Sequence, residues 1–212
     1  MLKPNDQLWH LAEPFWRSNS VFGESLFFIR EAPGLLPTAR LLFPPSGPLE
    51  LTRSSGEIRY SSPEDFILDA EKGVLTLPEG SQIAFMDRAA LYPPIGQDHC
   101  MAHKKGDDQV GLYFGEEHLF HDLQVQASYA HSSPWQGFMP RPQPERLPVT
   151  FKKLSSSAPL KICIIGDSIS SGCNASALTG VAPGMPPYPE LLADGTEVLT
   201  RKSCCHSSHG SW

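Results

Sequence analysis

The feature that most limits this chain is its punctuation: from Val21 to Tyr129, short apolar or alternating runs are broken repeatedly by Pro, Gly and Asp. Proline removes a ladder donor and fixes φ, while glycine opens the left-handed region, so long uninterrupted elements do not survive such a stretch. The 21 prolines and 17 glycines make up about 18% of 212 residues, against about 12% in average usage. No 3.6-residue periodicity stands out there. The runs predict strands over Ser25–Arg30, Arg40–Phe43, Leu49–Arg53, Glu57–Tyr60, Asp65–Asp69, Val74–Leu77, Gln82–Met86, Val110–Phe114 and Leu123–Tyr129. Their spacing is that of an antiparallel all-β sandwich, expected over residues 1–154.

Within it, Phe66 to Leu77 reads as a hairpin whose loop ends in Gly73, a residue able to supply positive φ. Tyr92 to Asp108 is too long for a tight turn and too polar for a core strand, so an exposed loop is expected. The prolines at 134, 140, 142, 144 and 148 make Ser132 to Pro148 a stiff connector. A further strand is expected over Val149–Lys153. Residues 155–160, rich in serine, form the expected linker to a second domain over 161–212.

The net charge of −6 argues against a nucleic-acid partner. No apolar run approaches the roughly 18 residues that span a bilayer, and the N-terminal residues lack a basic region followed by an apolar stretch. No membrane association is expected. Five cysteines, an odd number that includes adjacent Cys204 and Cys205, do not suggest a disulfide framework, so a reducing, cytoplasmic setting is the expectation.

Past the linker, Leu160 to Ile165 is apolar apart from Lys161, as a strand buried on both faces of a parallel sheet would be, and it ends in Gly166-Asp167-Ser168. Open α/β sheets place their ligands at the carboxyl ends of such strands, where succeeding backbone N–H groups point at an anion. Ser168 is the candidate nucleophile. Gly166, Asp167 and Gly172 are the candidate turn and oxyanion residues around it.

The run Ile164-Ile165-Gly166-Asp167-Ser168-Ile169-Ser170-Ser171-Gly172, followed by Asn174-Ala175-Ser176 and Pro187-Tyr188-Pro189-Glu190-Leu191-Leu192, resembles the first conserved block and first helix of SGNH (GDSL-type) hydrolases. The layout is similar to carbohydrate-esterase-like members with a β-sandwich ahead of the hydrolase domain. The resemblance covers about Leu160 to Val198 and implies the opening strand-turn-helix of an α/β/α (flavodoxin-like) domain. It further implies an ester hydrolase acting on small-molecule or carbohydrate esters, acetylated sugars among them. Ser168 would attack the acyl carbon and lend its N–H to the oxyanion hole, and no metal or organic cofactor would be needed.

A serine hydroxyl needs a general base within about 3 Å, itself held by an orienting group. The family draws these from an Asp-x-x-His block and adds oxyanion donors from a middle glycine and an Asn. After Ser168 this chain holds one aspartate, Asp194, and two histidines, His206 and His209, neither with an aspartate three positions before it. A helix is expected over Tyr188–Asp194, with Pro189 in its first turn and Gly195 at its stop, and Glu197–Thr200 as the start of a second strand. Beyond Thr200 neither period continues. The expectation is therefore a truncated or frame-shifted member whose segment after Ser157 is loosely held, since a lone parallel strand cannot be covered on both faces.

Other residues carry competing readings. Ser168 could simply cap a following helix, and Asp167 reads as a turn residue rather than an acid or base. Cys204-Cys205-His206 with His209 does not match zinc-ligand spacing. The histidines at 99, 103, 118, 121 and 131 read as surface or loop residues, although one could approach Ser168 from the β region. Trp9, Trp16 and Trp135 are sugar-stacking platforms or packing residues. Cys163 reads as a small buried apolar side chain. The Asn174-Ala175-Ser176 sequon has no meaning unless the chain is secreted.

Overall fold

The computed structural model describes residues 14–103, 109–115, 118–141, 143–156 and 158–195. Trp9, the 197–200 strand expectation and the Cys204-Cys205-His206 tail lie outside them. The fold is rich in sheet, with several sheets and few helices, and none of the sheets closes into a barrel. The strands are β1 (Ser20–Phe27), β2 (Ile29–Arg30), β3 (Thr38–Arg40), β4 (Pro45–Arg53), β5 (Arg59–Tyr60), β6 (Ile67–Asp69), β7 (Val74–Thr76), β8 (Met86–Asp87), β9 (Cys100–Ala102), β10 (Gly111–Tyr113) and β11 (Gln124–His131). They form a four-stranded sheet ordered β1-β11-β4-β5, a five-stranded sheet ordered β6-β7-β3-β2-β8 and a two-stranded β10-β9 ribbon. All pairings are antiparallel except β2 with β8.

One core joins the two larger sheets. Leu26, Leu51, Val125, Ala127 and Tyr129 enter it from the first, and Phe28, Leu41, Phe43, Leu75, Leu77 and Ile83 from the second and its connections. β11 shows how the alternation works: Val125, Ala127, Tyr129 and His131 are buried, while Gln124, Gln126 and Ser128 face the other way. That polar second face is the one later used by the cleft. The expected hairpin forms, with Leu68 opposite Leu75, and Gly73 adopts φ 63°. A Cβ on Gly73 would stand 3.3 Å from the Phe43 carbonyl oxygen, so its bareness also serves packing.

Five expectations need correction. The Arg40–Phe43 run meets a strand only at Arg40, where β3 ends. The loop over Tyr92 to Asp108 contains β9, whose pairing with β10 the polar sequence concealed. The 82–86 run meets a strand only at Met86, because Ile83 is buried in a connection rather than in a ladder. Val149–Lys153 is not a strand: Pro148 to Ser155 forms a helix, with Pro in its first turn, where its missing N–H costs nothing, and Lys152 and Lys153 at its negative end. Leu160 to Ile165 is also not a strand. No backbone hydrogen bond involves residues 159–166 among the described residues. Ile165 is 94% exposed, and Cys163 is exposed rather than buried. A parallel strand exists only between neighbours and under covering layers; the described chain brings neither to this run.

The helices are α1 (Arg88–Leu91), α2 (Leu119–Asp122), α3 (Pro148–Ser155) and α4 (Ser176–Thr179), and residues 188–195 form α5, which begins at the expected Tyr188. Among the described residues no helix is long and apolar enough to cross a membrane.

Candidate functional site

Gly166 to Gly172 folds as a tight turn held by its own backbone. The Asp167 carboxylate accepts the Ile169 N–H at 3.1 Å, while the Asp167 carbonyl accepts the Ser171 N–H at 3.1 Å and the Ser171 hydroxyl at 3.3 Å. Asp167 is thus a turn-forming residue. The Ser168 carbonyl accepts the Cys173 N–H at 2.8 Å, and the Gly172 N–H reaches the Ile169 carbonyl at 3.0 Å. Gly172 has φ 88°, a conformation that side chains disfavour, and a Cβ there would stand 2.8 Å from Leu178 Cδ1 and 2.9 Å from Pro187 Cβ. A Cβ on Gly166 would run into the Ser170 hydroxyl.

These bonds sort the four turn residues by role. The amides of Ile169 and Gly172 are engaged within the turn, so Gly172 shapes the backbone and donates nothing outward. Among the described residues neither the Ser168 amide nor its hydroxyl makes a hydrogen bond, and the residue is exposed. The capping alternative fails as well, because residues 168–174 are turn and the next helix begins only at Ser176. Ser168 therefore presents its hydroxyl and amide to solvent, with no general base hydrogen-bonded to it among the described residues.

Further down the chain the segment is stitched to itself. The buried Ser176 hydroxyl accepts the Met185 N–H at 2.7 Å, the Ala177 N–H reaches the Met185 carbonyl at 3.1 Å, and the hydroxyls of Ser170 and Tyr188 lie 3.0 Å apart. Gly180 and Gly184, at φ 73° and 72°, provide the reversals.

This segment lies over the polar face of the β1–β11 sheet and encloses with it a cleft of about 430 Å3. Gly23, Ser25, Ser54, Gln124 and Gln126 form the sheet side, and His121 joins them from α2. Ile169, Gly172, Cys173, Met185, Pro187 and Tyr188 are part of the opposite wall. Ser168 does not line the cleft; its neighbour Ile169 does.

The histidines separate by environment. The ring of His99 lies 6.0 Å from that of Tyr113, that of His103 lies 5.1 Å from that of Tyr92, and His118 Nδ1 lies 2.7 Å from Asp122. His131 is a core residue rather than a surface one: only 4% exposed, it stacks on Phe43 at 3.9 Å and donates from Nδ1 to the Ser133 carbonyl at 2.9 Å. His121 lines the cleft, with a buried Nδ1 that has no partner among the described residues. None of these rings is hydrogen-bonded to Ser168. Trp135 packs against the core, edge-on to Phe15 at 4.9 Å, and Trp16 meets Phe15 at 5.3 Å. Both tryptophans belong to packing. No cluster of three or more His, Cys, Asp or Glu side chains suited to a metal occurs among the described residues.

The cleft residues Gln124 and Gln126 carried a signal in the sequence. Gln-Val-Gln-Ala-Ser-Tyr-Ala-His alternates polar and apolar residues along β11, and the polar set marks a face turned away from the core. What the alternation lacked was any indication that residues some fifty positions later would cover that face. Comparisons with protein-family models, with curated proteins and with solved structures find no match for this chain.

Proposed function

We propose that this chain carries the nucleophile block of an SGNH-type serine ester hydrolase, with its two core-sharing sheets as the N-terminal β-sandwich and residues 161–195 as the opening of the hydrolase domain. Acetyl and related esters of carbohydrates are its substrate class. The observation that supports the reading is the exposed Ser168, whose hydroxyl and amide make no hydrogen bond among the described residues, in a turn that ties the Ile169, Ser171 and Gly172 amides internally. In the reaction Ser168 Oγ attacks the acyl carbon and gives its proton to a base. The Ser168 N–H stabilises the oxyanion, the alcohol leaves, and water hydrolyses the acyl-enzyme.

The described residues place no base on Ser168, and a general base is worth about 10²- to 10⁴-fold in rate. Hydrolysis of p-nitrophenyl acetate by the chain alone is therefore expected near the level of Ser168→Ala. Imidazole supplies the missing base from solution, and the wild-type rate is then expected to rise above that of Ser168→Ala in the same imidazole. Equal rates at every imidazole concentration overturn the reading. A non-catalytic carbohydrate-binding module is the second reading. It is favoured by the lack of a base on Ser168 among the described residues, and it predicts sugar affinity that survives Ser168→Ala.

A further inference from the structure

We infer that the cleft between the β1–β11 sheet and the 169–188 segment is a binding site for a neutral, hydroxyl-bearing ring of monosaccharide size, held on its polar side by Gln124, Gln126 and Ser25. This deepens the ester-hydrolase reading by locating the alcohol part of the ester, and it rests on that reading only for that role.

Three observations converge. The volume of about 430 Å3 lies within the range of small-molecule sites, about 300–1,000 Å3. The lining contains no Asp, Glu, Lys or Arg, so a charged ligand would be desolvated there without a counter-charge, whereas a neutral one would not. The two walls also differ in character. Ser25 stands directly across from Gln126 in the β1–β11 register, and Gln124 is two residues along the same face, which makes a compact row of hydroxyl and amide groups able both to donate and to accept. On the opposite wall Met185, Pro186 and Pro187 supply apolar surface, beside the polar groups of Asn174 and Tyr188. A pyranose has this division, with hydroxyls on its rim and C–H groups on its ring face. Antiparallel sheets commonly leave such a polar face to water. Here the covering segment converts it into one wall of a cleft.

Saturation-transfer NMR on the full chain tests this with D-glucose, D-galactose, D-xylose, D-glucuronate and D-glucosamine in its ammonium form. Saturable binding is expected for at least one of the three neutral sugars, with both charged ones weaker. Gln124→Ala is expected to weaken binding by about two- to tenfold, the worth of one neutral hydrogen bond. Gln126→Glu, which places a carboxylate on the polar wall, is expected to reverse the order in favour of D-glucosamine and so reports on the site independently of any loss of stability. No saturable binding of any neutral sugar overturns the inference, as does a ranking that Gln126→Glu leaves unchanged. Because no ester is present, a failure of hydrolysis at Ser168 leaves this result standing, whereas missing sugar binding beside intact imidazole-rescued hydrolysis overturns this assignment alone.

Discussion

Tyr129 Oη donates to Glu24 at 2.6 Å and accepts the Phe43 N–H at 3.2 Å, so one buried phenol ties β11 to β1 and to the segment leaving β3. Glu24 also accepts the Leu42 N–H at 2.8 Å. Desolvation outweighs both hydrogen bonds and holds the Glu24 carboxyl above its ordinary pKa, and burial raises that of the Tyr129 phenol.

A carboxyl whose folded pKa is raised favours the folded state when protonated. Its stabilising contribution is fully present below the unfolded pKa of 4.5 and is lost as pH rises through the higher folded value. Glu24→Gln keeps an acceptor for the Leu42 N–H, turns an amide donor toward the Tyr129 hydroxyl, which can accept it, and removes the charge. It is expected to match or exceed wild-type stability at neutral pH and to flatten the pH dependence just above 4.5. Urea denaturation at several pH values reads this; a Glu24→Gln variant less stable at neutral pH than wild type contradicts it.

Core and segment should respond in opposite ways to substitution. Leu75 is fully buried between the sheets, and Leu75→Ala is expected to cost about 2–5 kcal/mol. Ile165 is 94% exposed, and Ile165→Lys is expected to stay within about 0.5 kcal/mol in the same denaturation experiment. A large loss from Ile165→Lys would mean that the 160–165 run is covered in solution.

The contrast between these two residues also shows what the sequence made legible. Leu75 sits in a hairpin whose apolar alternation, turn glycine and partner strand all lie within a dozen residues, so its burial is a local property. Ile165 sits in a run just as apolar, yet burial of a parallel strand depends on neighbours that arrive from elsewhere in a chain. The helix at Pro148 is hidden in the sequence because Val149 and Phe151 are β-formers, while the deciding elements are the proline in the first turn and the lysines in the last. The turn at Asp167 to Gly172 was legible residue by residue. The cleft was not, since its two walls come from distant parts of the sequence and meet only in the fold.

Protease should find the segment that lacks ladder bonds. Local opening governs cleavage, and residues 159–166 have no backbone hydrogen bonds among the described residues to break first. Lys161 offers trypsin a site inside this stretch. Brief trypsin treatment is expected to release a fragment ending near Lys161 before the sheets are cut, as mass spectrometry would detect. Cleavage within β1, β4 or β11 before this site would contradict the expectation.

Gly172 joins the turn to the segment that builds the cleft. Its φ of 88° suits glycine, and an added Cβ would press on Leu178 and Pro187 while its backbone still holds the Ile169 carbonyl. Such strain at a non-glycine residue costs about 1–3 kcal/mol. In Gly172→Ala a shift of Pro187 relieves the Cβ contact, but the φ strain is relieved only by opening the turn, which displaces the Ser168 carbonyl from the Cys173 N–H. The sheets, whose core contains no residue of this segment, have no reason to respond. Gly172→Ala is therefore expected to leave the main denaturation midpoint in place while amide signals of Ser168 to Cys173 shift or broaden. The ester-hydrolase reading adds that its imidazole-rescued hydrolysis falls toward the Ser168→Ala level. Unchanged amide signals in this stretch would show that the turn tolerates a side chain at position 172 and would remove Gly172 from the residues that shape the site.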